Sequence, residues 1–181
     1  MMQSEIAQAK KELPIESDDT LNSMYLYTME YLKSKGFNQY EISNFGKEEY
    51  YSKHNMNYWN GTHYLGFGPS AHSYLNAVRR ANVSNINTYI SNIKSKKSYW
   101  EIEVLNTENI YNEFVLTRLR TIFGIDISEI KATFGENYAN LFLKESIPFL
   151  NQRQLVEEKG VFKLTNKGKI LADYISSSLM T

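Results

Sequence analysis

Apolar positions along this chain change period several times, and the changes sketch its elements. Between Ser17 and Gly36, Leu21, Met24, Tyr25, Met29 and Leu32 recur at approximate helical spacing. Ser17 offers an N-cap, Asp18 and Asp19 suit the positive end of a helix dipole, and Gly36 offers a stop. The end of an earlier helix is expected over residues 2–12, closed by Pro14. Residues 37–45, FNQYEISNF, switch to alternation, with Tyr40 and Ile42 apolar among polar neighbours, as in a half-buried strand. Helix, glycine and strand make half of a βαβ unit, which needs a parallel partner strand. Nothing upstream in the sequence supplies one, so the chain is expected to start in the middle of a domain.

Further on, residues 78–83 read as a short strand, Ser84 as the cap of a polar helix to about Lys97, and YWEIEVL (99–105) as a strand. The grammar changes at Thr107. TENIYNEFVLTRLRTIFG reads as an amphipathic helix carrying Ile110, Phe114, Leu116 and Leu119 and ended by Gly124. Short helices follow over 128–134 and 138–151. LVEEKGVFKL is a hairpin turning at Lys159-Gly160, and Asn166 caps a last helix through Ile175. Three helices, a hairpin and a terminal helix resemble a winged-helix domain. The expected organisation is α+β, with one region over residues 1–105 and a winged-helix-like region over 106–181.

Composition narrows the function classes. Twenty basic residues balance twenty acidic ones, which counts against a protein held to nucleic acid by basic excess. The expected recognition helix, within residues 138–151, has Lys144 as its one basic residue, so a DNA-binding regulator is not expected. Fourteen of the aromatic residues are tyrosine, which suits clefts where a ring packs and a hydroxyl finds a partner. MMQSEIAQAKKELP lacks the apolar core of a signal peptide, and no stretch approaches the roughly 18 apolar residues that cross a bilayer. A cytoplasmic chain without a transmembrane segment is the expectation. With no cysteine, these residues cannot form a disulfide or hold an iron–sulfur cluster through thiolates.

Residues 53–75, KHNMNYWNGTHYLGFGPSAHSYL, gather all three histidines, His54, His63 and His72. Their spacing of nine and nine, with no carboxylate at helical offset, is unlike a three-histidine metal site. Each imidazole could instead cap a loop. The turn around Gly66 and Gly68 lacks the third glycine of a dinucleotide fingerprint and reads as a tight turn allowing close approach. A third reading is a pocket for a porphyrin or other flat ligand, with an imidazole on the iron and rings alongside. Arg79 and Arg80 could then pair with its propionates, or be a solvated strand end. Residue types alone leave these readings open.

In order, QYEISNF, HNMNYW, YLGFGPSAHSY and the arginine pair resemble the oxygen-independent coproporphyrinogen oxidase-like family of radical S-adenosylmethionine proteins. The His54-Asn55-Met56-Asn57-Tyr58-Trp59 element is similar to the family's heme-chaperone (HemW-like) branch. NEFVLTRLRTIFGIDI and VFKLTNKGKILADYI resemble the start and end of the family's C-terminal domain. The resemblance implies the last part of an incomplete (β/α) barrel followed by that domain. In the full-length parent it implies a [4Fe–4S] cluster and S-adenosylmethionine. The cluster's cysteines are absent here, so these residues are not expected to perform radical chemistry.

The resemblance implies His54 as the ligand to heme iron, with Asn55, Tyr58 and Trp59 shaping the pocket and Arg79 and Arg80 beside it. Gly66, Gly68, Ser70, Ala71 and His72 correspond to the turn near S-adenosylmethionine. Asn44 and Phe45 would lie closer to the site than Tyr40, at the C-terminal end of a barrel strand. No family role falls on His63, which is expected to face solvent or cap a loop. The implied activity is heme binding and delivery to a client protein. The alternative is oxidative decarboxylation of coproporphyrinogen in porphyrin biosynthesis.

Overall fold

Ser17 accepts a hydrogen bond from the Thr20 amide and opens helix α1, Asp18–Ser34. The computed structural model describes residues 16–181, so the helix expected over 2–12 and its Pro14 stop lie outside the described residues. Gly36, at φ +79°, turns the chain out of α1 in the left-handed region that glycine adopts without a side-chain clash.

The single strand expected over 37–45 is two, β1 (Asn38–Glu41) and β2 (Asn44–Gly46), paired antiparallel. The break falls at Ile42-Ser43, because the Glu41 carboxylate takes the Ser43 amide at 3.0 Å and the side-chain amide of Asn44. No parallel strand pair occurs among the described residues. In place of the expected parallel partner, residues 40–42 hydrogen-bond to 120–122: Ile42 N donates to Arg120 O, and Ile122 N to Tyr40 O, both at 3.1 Å.

Helix α2, Lys53–Trp59, was not legible as an apolar repeat; Ser52 caps it by accepting from the Asn55 amide at 3.3 Å. A three-stranded antiparallel sheet follows, in the order β3-β4-β5, from His72–Leu75, Val78–Asn82 and Trp100–Val104. Asn76 and Ala77 join β3 to β4 with both φ angles positive, the two-residue turn that matches strand twist. Helix α3, Ile86–Lys94, bridges β4 to β5; its cap is Asn85, one residue beyond the expected Ser84.

Helix α4 runs Thr107–Leu119 and stops before the expected Gly124, where the backbone of Arg120 and Ile122 hydrogen-bonds to Ile42 and Tyr40 instead of continuing the helix. Strand β6 (Ile125–Asp126), helices α5 (Ile127–Phe134) and α6 (Glu136–Asn151), and strands β7 (Leu155–Glu158) and β8 (Val161–Leu164) follow, the strands ordered β6-β8-β7. The last helix divides at Leu171 into α7 (Asn166–Ile170), capped by Thr165 rather than Asn166, and α8 (Ala172–Ser178).

The main core lies in this second half. Leu119, expected on the apolar stripe of α4, is almost fully buried, and with it Tyr111 and Val115, each one residue round from the expected Ile110 and Phe114; Ile130, Phe142 and Ile175 join them. Each such side chain contributes about 1.5–3 kcal/mol by leaving water. That choice of face leaves Ile110 and Phe114 half-buried, Phe114 packed against the core's edge, where both line the gap toward α2.

Candidate functional site

Helix α2 presents its residues in two i, i+4 pairs. His54 and Tyr58 are exposed, their rings edge-to-face with centroids 4.9 Å apart. Asn55 and Trp59 are half-buried on the adjacent face. Asn55 Nδ2 donates to Asn44 Oδ1 at 3.3 Å, and Asn44 in turn binds Glu41. Trp59 lies under the Arg120 guanidinium, 5.5 Å from its ring centroid. At the helix end, Asn60 Oδ1 accepts from Arg118 Nη1 at 3.1 Å. One face of α2 is therefore anchored and the other displayed.

Asn44 meets α2 through Asn55, while Tyr40 is buried in a stack with Tyr51 at 4.6 Å. Phe45 is half-buried on β2.

Between α2 and α4 opens a cleft of about 470 Å³. Tyr58 and Trp59 form one wall, Tyr64 and Tyr74 its flank, and Ile110, Phe114 and Phe134 the far wall. Tyr58 meets Tyr64 edge-to-face at 4.7 Å, and burial pushes the Tyr64 hydroxyl above the ordinary phenol range. Two ion pairs line the cleft, Arg79–Glu113 and Arg118–Glu129, the latter at 2.8 Å. The indole Nε1 of Trp59 is buried and has no hydrogen-bond partner.

Arg79 and Arg80 are neighbours on β4 and so point to opposite faces of the sheet. Arg79 reaches the cleft but is held by Glu103 at 3.2 Å and by Glu113. Arg80 lies over the Trp100 ring, 4.5 Å from its centroid, and its Nε is buried without a partner. The two guanidiniums expected side by side are thus not brought together.

The glycine turn lies away from α2. A Cβ on Gly66 would overlap the His72 carbonyl oxygen, so that glycine serves the close approach of the chain to its own β3. Gly68, at φ +100°, donates its amide to the Tyr89 hydroxyl at 3.2 Å and accepts from Asn82 Nδ2 at 2.9 Å. Ala71 O accepts from the Asn82 amide. Ser70 and His72 line a separate groove of about 390 Å³ with Asn82 and Glu101. His63 is exposed, and its Nε2 accepts from the Asn76 amide at 3.2 Å. Among the described residues, no three His, Cys, Asp or Glu side chains are grouped so as to hold a metal ion, and no helix is long and apolar enough to cross a membrane.

Sequence reasoning missed Glu41, Phe114, Arg118 and Arg120. Arg118 meets Asn60 across 58 residues and Arg120 meets Glu41 across 79, so no local spacing reveals those pairs. The closest signal was the T-R-L-R run at the end of α4, whose arginines fall two apart.

Residues 105–171 match the HemN C-terminal domain family. The heme chaperone HemW of Lactococcus lactis is 31% identical over 156 residues, covering 86% of this chain and 41% of that protein. That of Bacillus subtilis is 30% identical over 158 residues, covering 87% and 42%. The chain thus spans about two fifths of the length of these curated relatives. Its fold is similar to that of coproporphyrinogen III oxidase (HemN) from Escherichia coli, a radical SAM enzyme. The TM-score is 0.67 at 18% identity, over 86% of this chain and 40% of that one.

Proposed function

We propose, from the HemN C-terminal domain match and the likeness to heme chaperones HemW, that the chain belongs to the coproporphyrinogen III oxidase-like family in its HemW-like branch, and that it binds heme through the displayed face of α2 and holds it for transfer to a client protein. The observation that carries this reading is the placement of His54. Its imidazole is exposed, braced by the edge of Tyr58 at 4.9 Å, beside an aromatic cleft of ligand size. Neutral imidazole offers iron one nitrogen, and a neighbour that fixes the ring plane makes the geometry reproducible.

Asn55 and Trp59 support the site by fixing the helix. Arg79 supports it from the cleft, where a propionate could share the guanidinium with Glu113; Arg80 would act from the other sheet face. Heme supplies a Lewis-acidic iron to which one imidazole can bind. With no cysteine in the chain, no cluster can be held through thiolates, and no step through S-adenosylmethionine is assigned to these residues. We read the turn from Gly66 to His72 as the part nearest that cofactor in the whole protein, with Ser70 and His72 lining its groove.

The architecture is read in the same terms. Residues up to 105 are taken as the end of an incomplete (β/α) barrel, on the step from α1 to β1. Residues 106–181 are taken as winged-helix-like, on the order helix, strand, helix, helix, hairpin. We place the protein in the cytoplasm.

Heme titration followed at the Soret band tests the function. A shifted band with the native chain that is lost or moved in His54→Ala supports it. An identical band and affinity in that variant would remove His54 as the ligand.

A further inference from the structure

A second pocket, of about 430 Å³, opens between α1, β1 and α7, and its cations are not balanced from within. Lys33 on α1 and Lys169 on α7 both line it. Neither ammonium forms an ion pair with a carboxylate among the described residues. Glu30 also lines the pocket, but it is exposed and pairs with neither lysine. Lys169 is half-buried, and the one hydrogen bond of its Nζ among the described residues goes to Gln39 Oε1 at 3.0 Å. Gln39 is fixed in that orientation, because its Nε2 donates to Tyr25 Oη at 2.7 Å and to Ile42 O at 2.6 Å. An ammonium carries three N–H donors, so two on Lys169 remain for another acceptor. Burial, with Lys33 beside it, holds that ammonium below the ordinary lysine range. Like charges brought together in a half-buried pocket oppose one another, and the acceptor that relieves both is an anion.

We propose that this pocket binds a phosphate monoester, its phosphate between Lys33 and Lys169 and its organic part against Met29, Phe37 and Ile122. Charge chooses the head group. Two cations match a phosphate monoester, which carries close to two negative charges at neutral pH, better than they match a single carboxylate. The side-chain amide of Asn166, also in the lining, adds neutral N–H donors for the remaining phosphate oxygens. Shape and polarity choose the rest. Met29 is buried, Phe37 and Ile122 are half-buried, and the volume is that of a small-molecule site rather than of a bare ion. The inference goes beyond the heme reading and does not rest on it, since no residue of this pocket lies on α2.

The test titrates phenyl phosphate, inorganic phosphate and benzoate into the whole chain, each followed by calorimetry. The native chain should bind phenyl phosphate saturably. It should bind inorganic phosphate, which lacks the organic part, and benzoate, which carries one charge, at least about tenfold more weakly. Lys169→Met keeps the apolar stem and removes the charge, and should weaken phenyl phosphate about tenfold. Lys33→Met, at an exposed position, should weaken it by about threefold or more while melting as the native protein does. Lys144→Met, an exposed lysine on α6 outside the pocket, should bind as the native chain does.

No saturable binding of phenyl phosphate by the native chain would overturn the proposal, and so would benzoate or inorganic phosphate bound as tightly. Native affinity in Lys33→Met, or an equal loss in Lys144→Met, would overturn it too. If Lys169→Met melts early, Lys33→Met decides alone. If Lys169→Met folds, native affinity there also overturns it.

Discussion

The Glu41 carboxylate, only 1% exposed, accepts from Arg120 Nε at 3.0 Å, and the same guanidinium lies 5.5 Å from the Trp59 ring centroid. Arg120 therefore ties the β1–β2 turn and α2 to the second half of the chain. Its remaining bond, to Asp173 at 2.9 Å, reaches an exposed partner and adds little.

Removing that arginine should be costly. Arg120→Met leaves a buried carboxylate facing only the Ser43 amide and Asn44, and a buried charge stripped of its partner costs about 3–5 kcal/mol. Adding Glu41→Gln removes the uncompensated charge and should recover part of the loss. Urea unfolding of the two single variants and the double variant measures this. A double variant no more stable than Arg120→Met alone would show that the pair is not coupled.

The two faces of α2 should separate stability from binding. Trp59→Ala and Asn55→Ala remove contacts that anchor the helix, and the former should cost about 3 kcal/mol as a truncated half-buried aromatic. His54→Ala and Tyr58→Ala touch exposed rings and should stay within about 0.5 kcal/mol of the native chain. Thermal melts and Soret titrations on all four give the pattern. Loss of stability in His54→Ala to the extent of Trp59→Ala would contradict the division.

Glycines within residues 53–75 should differ sharply. Gly66→Ala drives a methyl group into the His72 carbonyl, within 2.8 Å of its carbon, so β3 must move. Gly61 has φ +65° but nothing within 4 Å of a Cβ, so Gly61→Ala should cost only about 1 kcal/mol of backbone strain. Amide hydrogen exchange should reveal loosening around Tyr64 and Tyr74, which exchange two backbone hydrogen bonds, in the first variant alone.

The elements with capping signals and apolar repeats were legible before the structure: α1 from Ser17, the helices of the second half, and the hairpin at Lys159-Gly160, whose φ angles are +54° and +85°. What escaped was short or tertiary. Helix α2 has seven residues, too few for an apolar period, although Ser52 as its cap and the pairs His54/Tyr58 and Asn55/Trp59 were in plain sight. The break after Glu41 combines a local turn, in which its carboxylate takes the Ser43 amide, with a bond from an arginine 79 residues away, and that second part no local pattern encodes. Arg79 and Arg80 looked like a clamp in one dimension, and strand alternation separates them in three.

Tyr111 gives the chain a pH dependence that can be isolated. Its ring is 0% exposed and its hydroxyl donates to Leu179 O at 3.0 Å. Burial, reinforced by Tyr138 nearby, pushes that hydroxyl from 10.0 up to about 12. The folded state thus favours the protonated phenol, and a group raised on folding contributes stability that is complete below its unfolded value. The contribution is therefore intact below about pH 10 and fades as pH climbs toward 12. Tyr111→Phe removes it and strands the Leu179 carbonyl, so the variant should be about 1 kcal/mol weaker at neutral pH. The gap between native and variant should then narrow through the alkaline range. Because the other tyrosines titrate in both proteins, the difference between their urea midpoints at a series of pH values reports Tyr111 alone. A gap that stays constant to pH 12 would mean that the hydroxyl ionises in the folded protein as easily as in the unfolded chain.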